Sequence, residues 1–179
     1  MKAVVYFVPG FEEVEALAVV DVLRRGGVEV VMAGVEGMRV TSAHQIAIQM
    51  DTMFDEIDYE TVDMMILPGG AGTTRYNDCK ELINLLKKFK TEGKWLAAIC
   101  AAPSILGQAG LLKGEKAICY PGYEEKLVDA EVVREKVVVS NHIITAIGAG
   151  AALDFGFKIL EILKGKEVSD TIRERMIAK

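Results

Sequence analysis

The sequence of 179 residues is poor in histidine, in cysteine and in long apolar stretches. Two histidines leave little material for a zinc site, which needs several convergent ligands. Three cysteines, an odd number, are typical of a reducing compartment and do not suggest a disulfide framework. No apolar run approaches the roughly 20 residues of a membrane span, and Met1-Lys2 leads directly into a strand-like segment. We therefore expect a cytoplasmic protein without a signal peptide.

Positive charge is also scarce. The chain has 21 lysines and arginines against 26 acidic residues, and its net charge of −5 argues against a nucleic-acid partner. It has no Gly-Lys-Ser or Gly-Lys-Thr sequence, and neither Gly70-Ala71-Gly72 nor Gly148-Ala149-Gly150 completes a dinucleotide-binding fingerprint. The sequence therefore predicts a protein that uses no nucleotide cofactor and no metal.

Apolar runs typical of buried strands alternate with segments of helical periodicity along most of the chain. The runs are Ala3–Val8, Val28–Gly34, Asp63–Leu67 and Trp95–Ile99. Strands that alternate with helices predict a doubly wound α/β sandwich, with a mostly parallel sheet and helices on both faces. No linker, repeat or low-complexity segment divides the sequence, so we expect residues 1–179 to form a single domain.

The last third has a different pattern, with short strand candidates that suggest antiparallel pairing. These candidates are Ala117–Cys119, Ala130–Val133 and Lys136–Val139. Ser140-Asn141 could turn the last of them into a further strand at residues 142–147. The pattern then predicts a helix over residues 151–163 and a terminal helix over residues 168–177.

In open α/β sheets, ligands bind beyond the carboxyl ends of the strands. Cys100 follows the predicted strand Trp95–Ile99 and precedes a predicted helix, so it occupies the position of a nucleophile elbow. Small neighbouring residues and Pro103 favour a tight bend into the helix. A thiol at the start of a helix is expected to have a stabilised thiolate. A buried core cysteine is the other interpretation, because free cysteine is often buried.

Three glutamates follow the first strand, and their positions separate them. Glu12 and Glu13 fit solvated residues that interact favourably with the helix dipole. Glu15 lies beside the apolar stripe of the helix, so we expect its carboxyl to point inward with a raised pKa. It is then a candidate acid or base beside Cys100.

Gly69-Gly70 offers backbone amides at a strand end, either for an oxyanion hole or simply for a tight turn. The two histidines, His44 and His142, fit surface positions better than catalytic ones, because neither follows a central parallel strand.

Taken together, five sequence segments resemble the ThiJ/PfpI superfamily, and within it the branch of the parkinsonism-associated protein deglycase and its bacterial relatives. The resemblance covers essentially the whole chain, in order. The segments are Pro9-Gly10-Phe11-Glu12-Glu13-Val14-Glu15, Asp21-Val22-Leu23-Arg24-Arg25-Gly26-Gly27, Ile66-Leu67-Pro68-Gly69-Gly70, Ala97-Ala98-Ile99-Cys100-Ala101-Ala102-Pro103 and Gly165-Lys166-Glu167-Val168.

The resemblance implies a flavodoxin-like fold, usually in a homodimer. It implies Cys100 as the nucleophile and oxidation-sensitive thiol, Glu15 as its protonated partner and Gly70 as an amide donor near the oxyanion. Gly69, Ala101, Tyr120 and His44 are implied as possible pocket residues. The protease branch has a histidine directly after its cysteine, and Ala101 at that position makes peptidase activity an unlikely implication.

The surroundings of the implied pair differ from those of the resembled branch. Tyr120 replaces a histidine of that branch, and a phenol does not shuttle protons near neutral pH as imidazole does. Arginines near the pocket of a human relative are matched by His44 and Ile147. Two functions follow: an enzyme acting on small 2-oxoaldehydes or glycated amines, or a redox-sensing, chaperone-like stress protein that uses the same cysteine.

Overall fold

The computed structural model of the protein describes residues 1–178. Within them the strands are β1 (Lys2–Phe7), β2 (Glu29–Gly34), β3 (Arg39–Thr41), β4 (Ala47–Gln49), β5 (Thr52–Met53), β6 (Met64–Leu67), β7 (Trp95–Ile99), β8 (Lys116–Ala117), β9 (Glu131–Val132), β10 (Val137–Ser140) and β11 (Ile143–Ala146). The α-helices are α1 (Glu13–Arg25), α2 (Lys80–Thr91), α3 (Pro103–Gln108), α4 (Ala152–Lys164) and α5 (Lys166–Arg175). Short 3-10 turns lie at Phe54–Glu56, Tyr59–Thr61, Thr73–Asp78, Glu124–Lys126 and Ala149–Ala151.

Seven strands form the main sheet in the order β10-β11-β7-β6-β1-β2-β5. All neighbouring pairs are parallel except β10 and β11, which form an antiparallel hairpin. In the centre of the sheet, Val5 is in register with Met32 on one side and with Ile66 on the other. This confirms the predicted doubly wound, mostly parallel sheet.

The helices cover both faces of this sheet because its central strands are apolar on both sides. Along β1, Val5 and Phe7 belong to the core cluster that includes residues of α1, α4 and α5, whereas Val4 and Tyr6 belong to the cluster with α2 and α3. All four side chains are fully buried. Burial of one such side chain contributes about 1.5–3 kcal/mol, so the uninterrupted apolar run fixes β1 at the centre.

The short elements differ most from the sequence prediction. The strand predicted at Ala117–Cys119 ends at Ala117, so Cys119 lies outside it. Strand β8 pairs in parallel with β9, so the antiparallel character predicted for the last third holds only for the β10–β11 hairpin. Strands β3 and β5 were not predicted, because two or three residues are too few to show an alternating pattern.

Four consecutive strands of the sheet, β11, β7, β6 and β1, end at the same edge. Backbone hydrogen bonds hold together the turns that follow them. The Glu12 amide donates to the Gly69 carbonyl at 2.9 Å, and the Cys100 amide donates to the Ala146 carbonyl at 2.9 Å. The fold therefore brings residues far apart in sequence to one place. Within residues 1–178, none of the helices has the length and apolar character that crossing a membrane requires.

Candidate active site

Cys100 occupies a sharp bend between β7 and α3. Its φ of 65° lies in the left-handed region, which costs a residue other than glycine on the order of 1 kcal/mol or more. Two backbone hydrogen bonds hold the bend: the Cys100 amide donates to Ala146, and the Cys100 carbonyl accepts from the Tyr120 amide at 2.8 Å. The side chain is half-buried. The bend therefore has the geometry that the sequence predicts for a nucleophile elbow.

Glu15 lies in the first turn of α1 and is 1% exposed, so its carboxyl points inward as predicted. The Gly69 amide donates to its Oε2 atom at 2.9 Å. Within residues 1–178, its Oε1 atom is buried and has no hydrogen-bond partner. Burial disfavours the charged form of a carboxyl, and this group has one hydrogen-bond donor, so the protonated form of Glu15 is favoured.

The approach of Glu15 to Cys100 depends on the glycine turn after β6. A Cβ atom on Gly69 would lie 2.7 Å from the Cβ of Cys100 and 2.8 Å from Oε2 of Glu15, so a side chain does not fit there. Gly70 has a φ of 105°, and a Cβ on it would lie 2.4 Å from the amide nitrogen of Glu12. This turn is therefore the spacer that lets helix α1 and the cysteine bend lie against the same backbone.

The environment shifts the pKa of both groups upward. Burial raises the pKa of Glu15 to about 7, and the charge of Glu12 adds to this, although Cys100 and the Gly69 amide act in the opposite direction. Burial also raises the pKa of Cys100 to about 12, and two effects of the neighbouring Glu15 carboxylate add to this. The amides of Ala101 and Gly70 act on the sulfur and favour the thiolate, but they do not prevail.

The direction of the shift at Cys100 is opposite to the one that the sequence predicts. The helix start and the two amides favour the thiolate, but burial and the Glu15 carboxylate outweigh them. Two of the three raising effects come from Glu15 in its ionised form. A proton on Glu15 removes the repulsion of its negative charge, so thiolate character at Cys100 is linked to protonation of Glu15.

A cavity of about 390 Å³ opens to solvent above this pair. Besides Cys100 and Glu15 it is lined by Glu12, Gly70, Tyr120 and Tyr123, and by three alanines at positions 71, 101 and 149. Of the pocket residues expected from the sequence, Ala101 and Tyr120 line the cavity, whereas Gly69 lies behind the pair and His44 lies outside. Tyr123 and Glu12 were not predicted to line it, because Tyr123 carries no motif and Glu12 has the pattern of a solvated residue.

His44 instead forms a small polar cluster with Glu12 and Glu13, whose potential ligand atoms lie within 4.8 Å of one another. Its Nδ1 atom is 2.9 Å from Oε1 of Glu13 and 3.9 Å from Oε2 of Glu12. The prediction that Glu13 is solvated was wrong, since it is only 8% exposed. The loop after β3 covers it, because the Ala43 amide donates to the Phe11 carbonyl at 2.8 Å. The sequence did not predict that these three side chains lie together.

Comparison with known proteins supports the resemblance seen in the sequence. The signature of the DJ-1/PfpI family matches residues 1–162. The protein DJ-1 homolog A of Arabidopsis thaliana is 38% identical over 175 residues, which cover 95% of this chain and 45% of that protein. The chain therefore spans about half the length of that relative. Glutathione-independent glyoxalase DJR-1.2 of Caenorhabditis elegans is 32% identical, over 90% of this chain and 87% of that protein.

Two further similarities agree with these. Deglycase PH1704 of Pyrococcus horikoshii is 33% identical over 144 residues, or 79% of this chain and 87% of that protein. The solved structure of oxidized Toxoplasma gondii DJ-1 superimposes with a TM-score of 0.94 at 36% identity, and the match covers 98% of this chain and 97% of that one. In sequence and in fold, this chain belongs to the DJ-1/PfpI family.

Proposed function

We propose that the protein is a cysteine-dependent enzyme of the glyoxalase or deglycase type, acting on small 2-oxoaldehydes or glycated amines. The observation that carries the proposal is the bend at Cys100, which opens into a cavity beside a buried carboxyl with a free oxygen. The names of the nematode glyoxalase and the archaeal deglycase support the substrate class. Family membership supports the reaction type.

In the glyoxalase reaction, the sulfur of Cys100 adds to the aldehyde carbon of a 2-oxoaldehyde. A C–S bond forms while the S–H bond and the π bond of the aldehyde break, the thiol proton goes to the aldehyde oxygen, and the product is a hemithioacetal. Glu15 then takes the proton from the former aldehyde carbon and returns one to the neighbouring carbon, which converts the adduct to a 2-hydroxy thioester. Water hydrolyses the thioester and releases a 2-hydroxy acid and the thiol.

The positions of Glu15 and of the amides beside Cys100 support the roles proposed for them. The free Oε1 atom of Glu15 is the oxygen available for the proton, and a pKa of about 7 allows the group both to give and to accept it near neutral pH. In this proposal the amides of Gly70 and Ala101, which favour the thiolate of Cys100, also donate to the substrate oxygen that becomes negative beside the sulfur.

A glycated amine leads to the same hemithioacetal on Cys100. The sulfur displaces the amine from the carbinol carbon, so that a C–S bond forms while the C–N bond breaks. Glu15 supplies the proton that the departing nitrogen needs, and the remaining steps are those of the glyoxalase reaction. A homodimer with a cytoplasmic location belongs to the same proposal, on the family resemblance, and light scattering of the purified protein tests the dimer.

Formation of lactate from methylglyoxal tests the proposal. We expect turnover by the wild-type protein, and a loss of about 100-fold or more in Cys100→Ser and in Glu15→Gln, as for other acid–base and nucleophilic groups. Cys79→Ser is the matched control, because Cys79 lies at the start of α2, away from the cavity. Unchanged turnover in both site variants would refute the proposal.

The second candidate function is redox sensing, and one observation favours it. The amides that act on Cys100 would also hold the oxygens of a sulfinate, which forms when two molecules of hydrogen peroxide oxidise the thiol in succession and are reduced to water. Mass spectrometry after mild peroxide treatment tests this function. Preferential oxidation of Cys79 or Cys119 would contradict it.

A further inference from the structure

Two tyrosines form one wall of the cavity above Cys100. The amide of Tyr120 donates to the carbonyl of Cys100, and the amide of Tyr123 donates to the carbonyl of Tyr120 at 3.1 Å. These bonds hold the backbone of the turn that carries both rings against the cysteine bend. Tyr120 is 51% exposed, which leaves a large part of the side chain without a protein partner.

The ring of Tyr120 and the sulfur border the same space. A Cβ atom placed on Gly148 would lie 3.3 Å from Cδ2 of Tyr120 and 3.9 Å from Sγ of Cys100. A ligand carbon attached to the sulfur therefore has an aromatic ring beside it. The other lining residues are Cys100, Glu12, Glu15, Gly70 and three alanines, so the two tyrosines are the only large apolar side chains among the described residues that border the cavity.

Among the described residues, the lysines, arginines, aspartates and glutamates that line the cavity are all acidic. Its titratable carboxyls are those of Glu12 and Glu15, and none of the described residues that line it is a lysine or an arginine. Lys126 has its Nζ atom 4.7 Å from the centre of the Tyr123 ring, but it does not line the cavity. A carboxylate or phosphate on a ligand would find two acidic groups and no ion-pair partner.

We propose that the cavity selects 2-oxoaldehydes that carry an uncharged aromatic group, and that Tyr120 and Tyr123 are the residues that select it. The inference rests on the proposed function, because it places the aldehyde end of the ligand at Cys100. The aromatic group packs against the two rings, in the offset or edge-on arrangement that aromatic pairs prefer. The cavity volume of about 390 Å³ is sufficient for a molecule with a single ring.

The first experiment compares kcat/KM for phenylglyoxal, methylglyoxal and 4-carboxyphenylglyoxal. We expect phenylglyoxal to exceed each of the other two at least 10-fold in the wild-type protein. Because the three aldehydes differ in intrinsic reactivity, the decisive quantity is the change of these ratios in variants. Tyr120→Leu and Tyr123→Leu should each reduce the preference for phenylglyoxal over methylglyoxal several-fold, whereas Tyr120→Phe should retain it. Glu12→Gln should reduce the preference for phenylglyoxal over 4-carboxyphenylglyoxal and leave the preference over methylglyoxal unchanged.

The second experiment needs no turnover. Iodoacetamide alkylates Cys100, and a neutral, unreactive ketone that occupies the cavity should slow this reaction. We expect 2-hydroxyacetophenone to protect Cys100 at a concentration at least 10-fold lower than hydroxyacetone does, and we expect Tyr120→Leu to remove the difference. Far-UV circular dichroism verifies that each variant is folded, and Tyr123→Leu gives a second test if Tyr120→Leu does not fold.

The two experiments separate the inference from the proposed function. Failure to turn over any 2-oxoaldehyde would refute the enzyme, while the protection experiment would still decide the selectivity. Equal protection by the two ketones, or ratios that stay unchanged in both leucine variants, would overturn the selection by Tyr120 and Tyr123. Turnover of methylglyoxal would survive that result.

Discussion

Glu13 and Glu15 stand two residues apart at the start of α1, and both are more than nine-tenths buried, yet their pKa values shift in opposite directions. Burial raises the pKa of Glu15 to about 7. Burial also acts to raise the pKa of Glu13, but its own backbone amide, the Ser42 hydroxyl and His44 outweigh that effect and lower it. The two carboxyls face different parts of the protein, since one points at the loop after β3 and the other at the cysteine bend.

The comparison shows that partners, more than depth, decide the charge of a buried carboxyl. Within residues 1–178 each carboxyl has one buried oxygen without a hydrogen-bond partner, Oε2 in Glu13 and Oε1 in Glu15. The backbone amide of Glu13, the Ser42 hydroxyl and His44 favour the charged form of Glu13. Glu15 has the Gly69 amide and the sulfur of Cys100 beside it, and these do not outweigh its burial. The two roles follow from the side of the helix that each residue occupies.

Replacement of each glutamate by glutamine should give the largest difference in kcat between the two positions. Glu15→Gln should lower kcat for methylglyoxal by about 100-fold or more, because an amide cannot take or give the proton. Glu13→Gln should change kcat less than about 5-fold, since Glu13 does not line the cavity. Steady-state assays of lactate formation check both variants. Equal losses would mean that the two carboxyls do not have separate roles.

Displacement of Glu15 without a change in its chemistry is the next test. Gly69→Ala should force the Cys100 side chain and the Glu15 carboxyl apart, because the new methyl group would overlap both. We expect at least a 10-fold loss of kcat/KM, and a loss of about 1–3 kcal/mol in the free energy of unfolding from the overpacking. The matched control is Gly150→Ala, where a Cβ meets nothing within 4 Å. A wild-type rate in Gly69→Ala would contradict the role of the spacer turn.

The opposite pKa shifts predict opposite pH dependence of stability. Glu15 has a pKa of about 7 in the folded protein against an ordinary value of 4.5, so the folded protein binds the extra proton between these values and loses stability as pH rises through them. Compared with Glu15→Gln, the wild-type protein should lose on the order of 3 kcal/mol between pH 5 and pH 8, measured by urea unfolding.

In the same measurement, the contribution of Glu13 to the free energy of unfolding should change with pH in the opposite direction. Its lowered pKa contributes stability that is present above the ordinary value of 4.5 and is lost as pH falls through the folded value. The wild-type protein compared with Glu13→Gln should therefore lose its advantage toward acid pH. A difference of the same sign for both pairs of proteins would contradict the assigned environments.

Removal of the imidazole is the smallest change. In His44→Ala the pKa of Glu13 should rise, because one of the groups that lower it is lost, while the pKa of Glu15 should stay where it is. The side chain of His44 is 69% exposed, so the change in stability should stay within about 1 kcal/mol. Carbon-13 NMR titration of the glutamate carboxyls resolves the two effects. A shift at Glu15 of equal size would show that the carboxyls are coupled.

Much of the fold could be predicted because the central strands are buried on both faces. An uninterrupted apolar run such as Ala3–Val8 buries both of its faces only in the middle of a sheet that is covered by helices on both sides. Elements at the edges left weaker signals. Strand β5, at one edge of the main sheet, has two residues, which are too few to show a period in the sequence.

The site could be predicted where backbone geometry required particular residues. Cys100 stands between a strand and a helix, and the position of Glu15 beside an apolar stripe was enough to turn it inward. The burial of Glu13 could not be predicted, because it depends on the loop at residues 42–46, which is remote in sequence. The direction of the pKa shift at Cys100 could not be predicted either, since the helix start is visible in the sequence but the desolvation is not.

The left-handed backbone of Cys100 has a consequence for how this chain tolerates change. Glycine adopts that φ without strain, whereas any residue with a side chain is strained there, and interactions in the rest of the protein must offset the strain. Replacement of Cys100 by glycine would relieve this backbone strain, so the side chain at the bend lowers the stability of the fold.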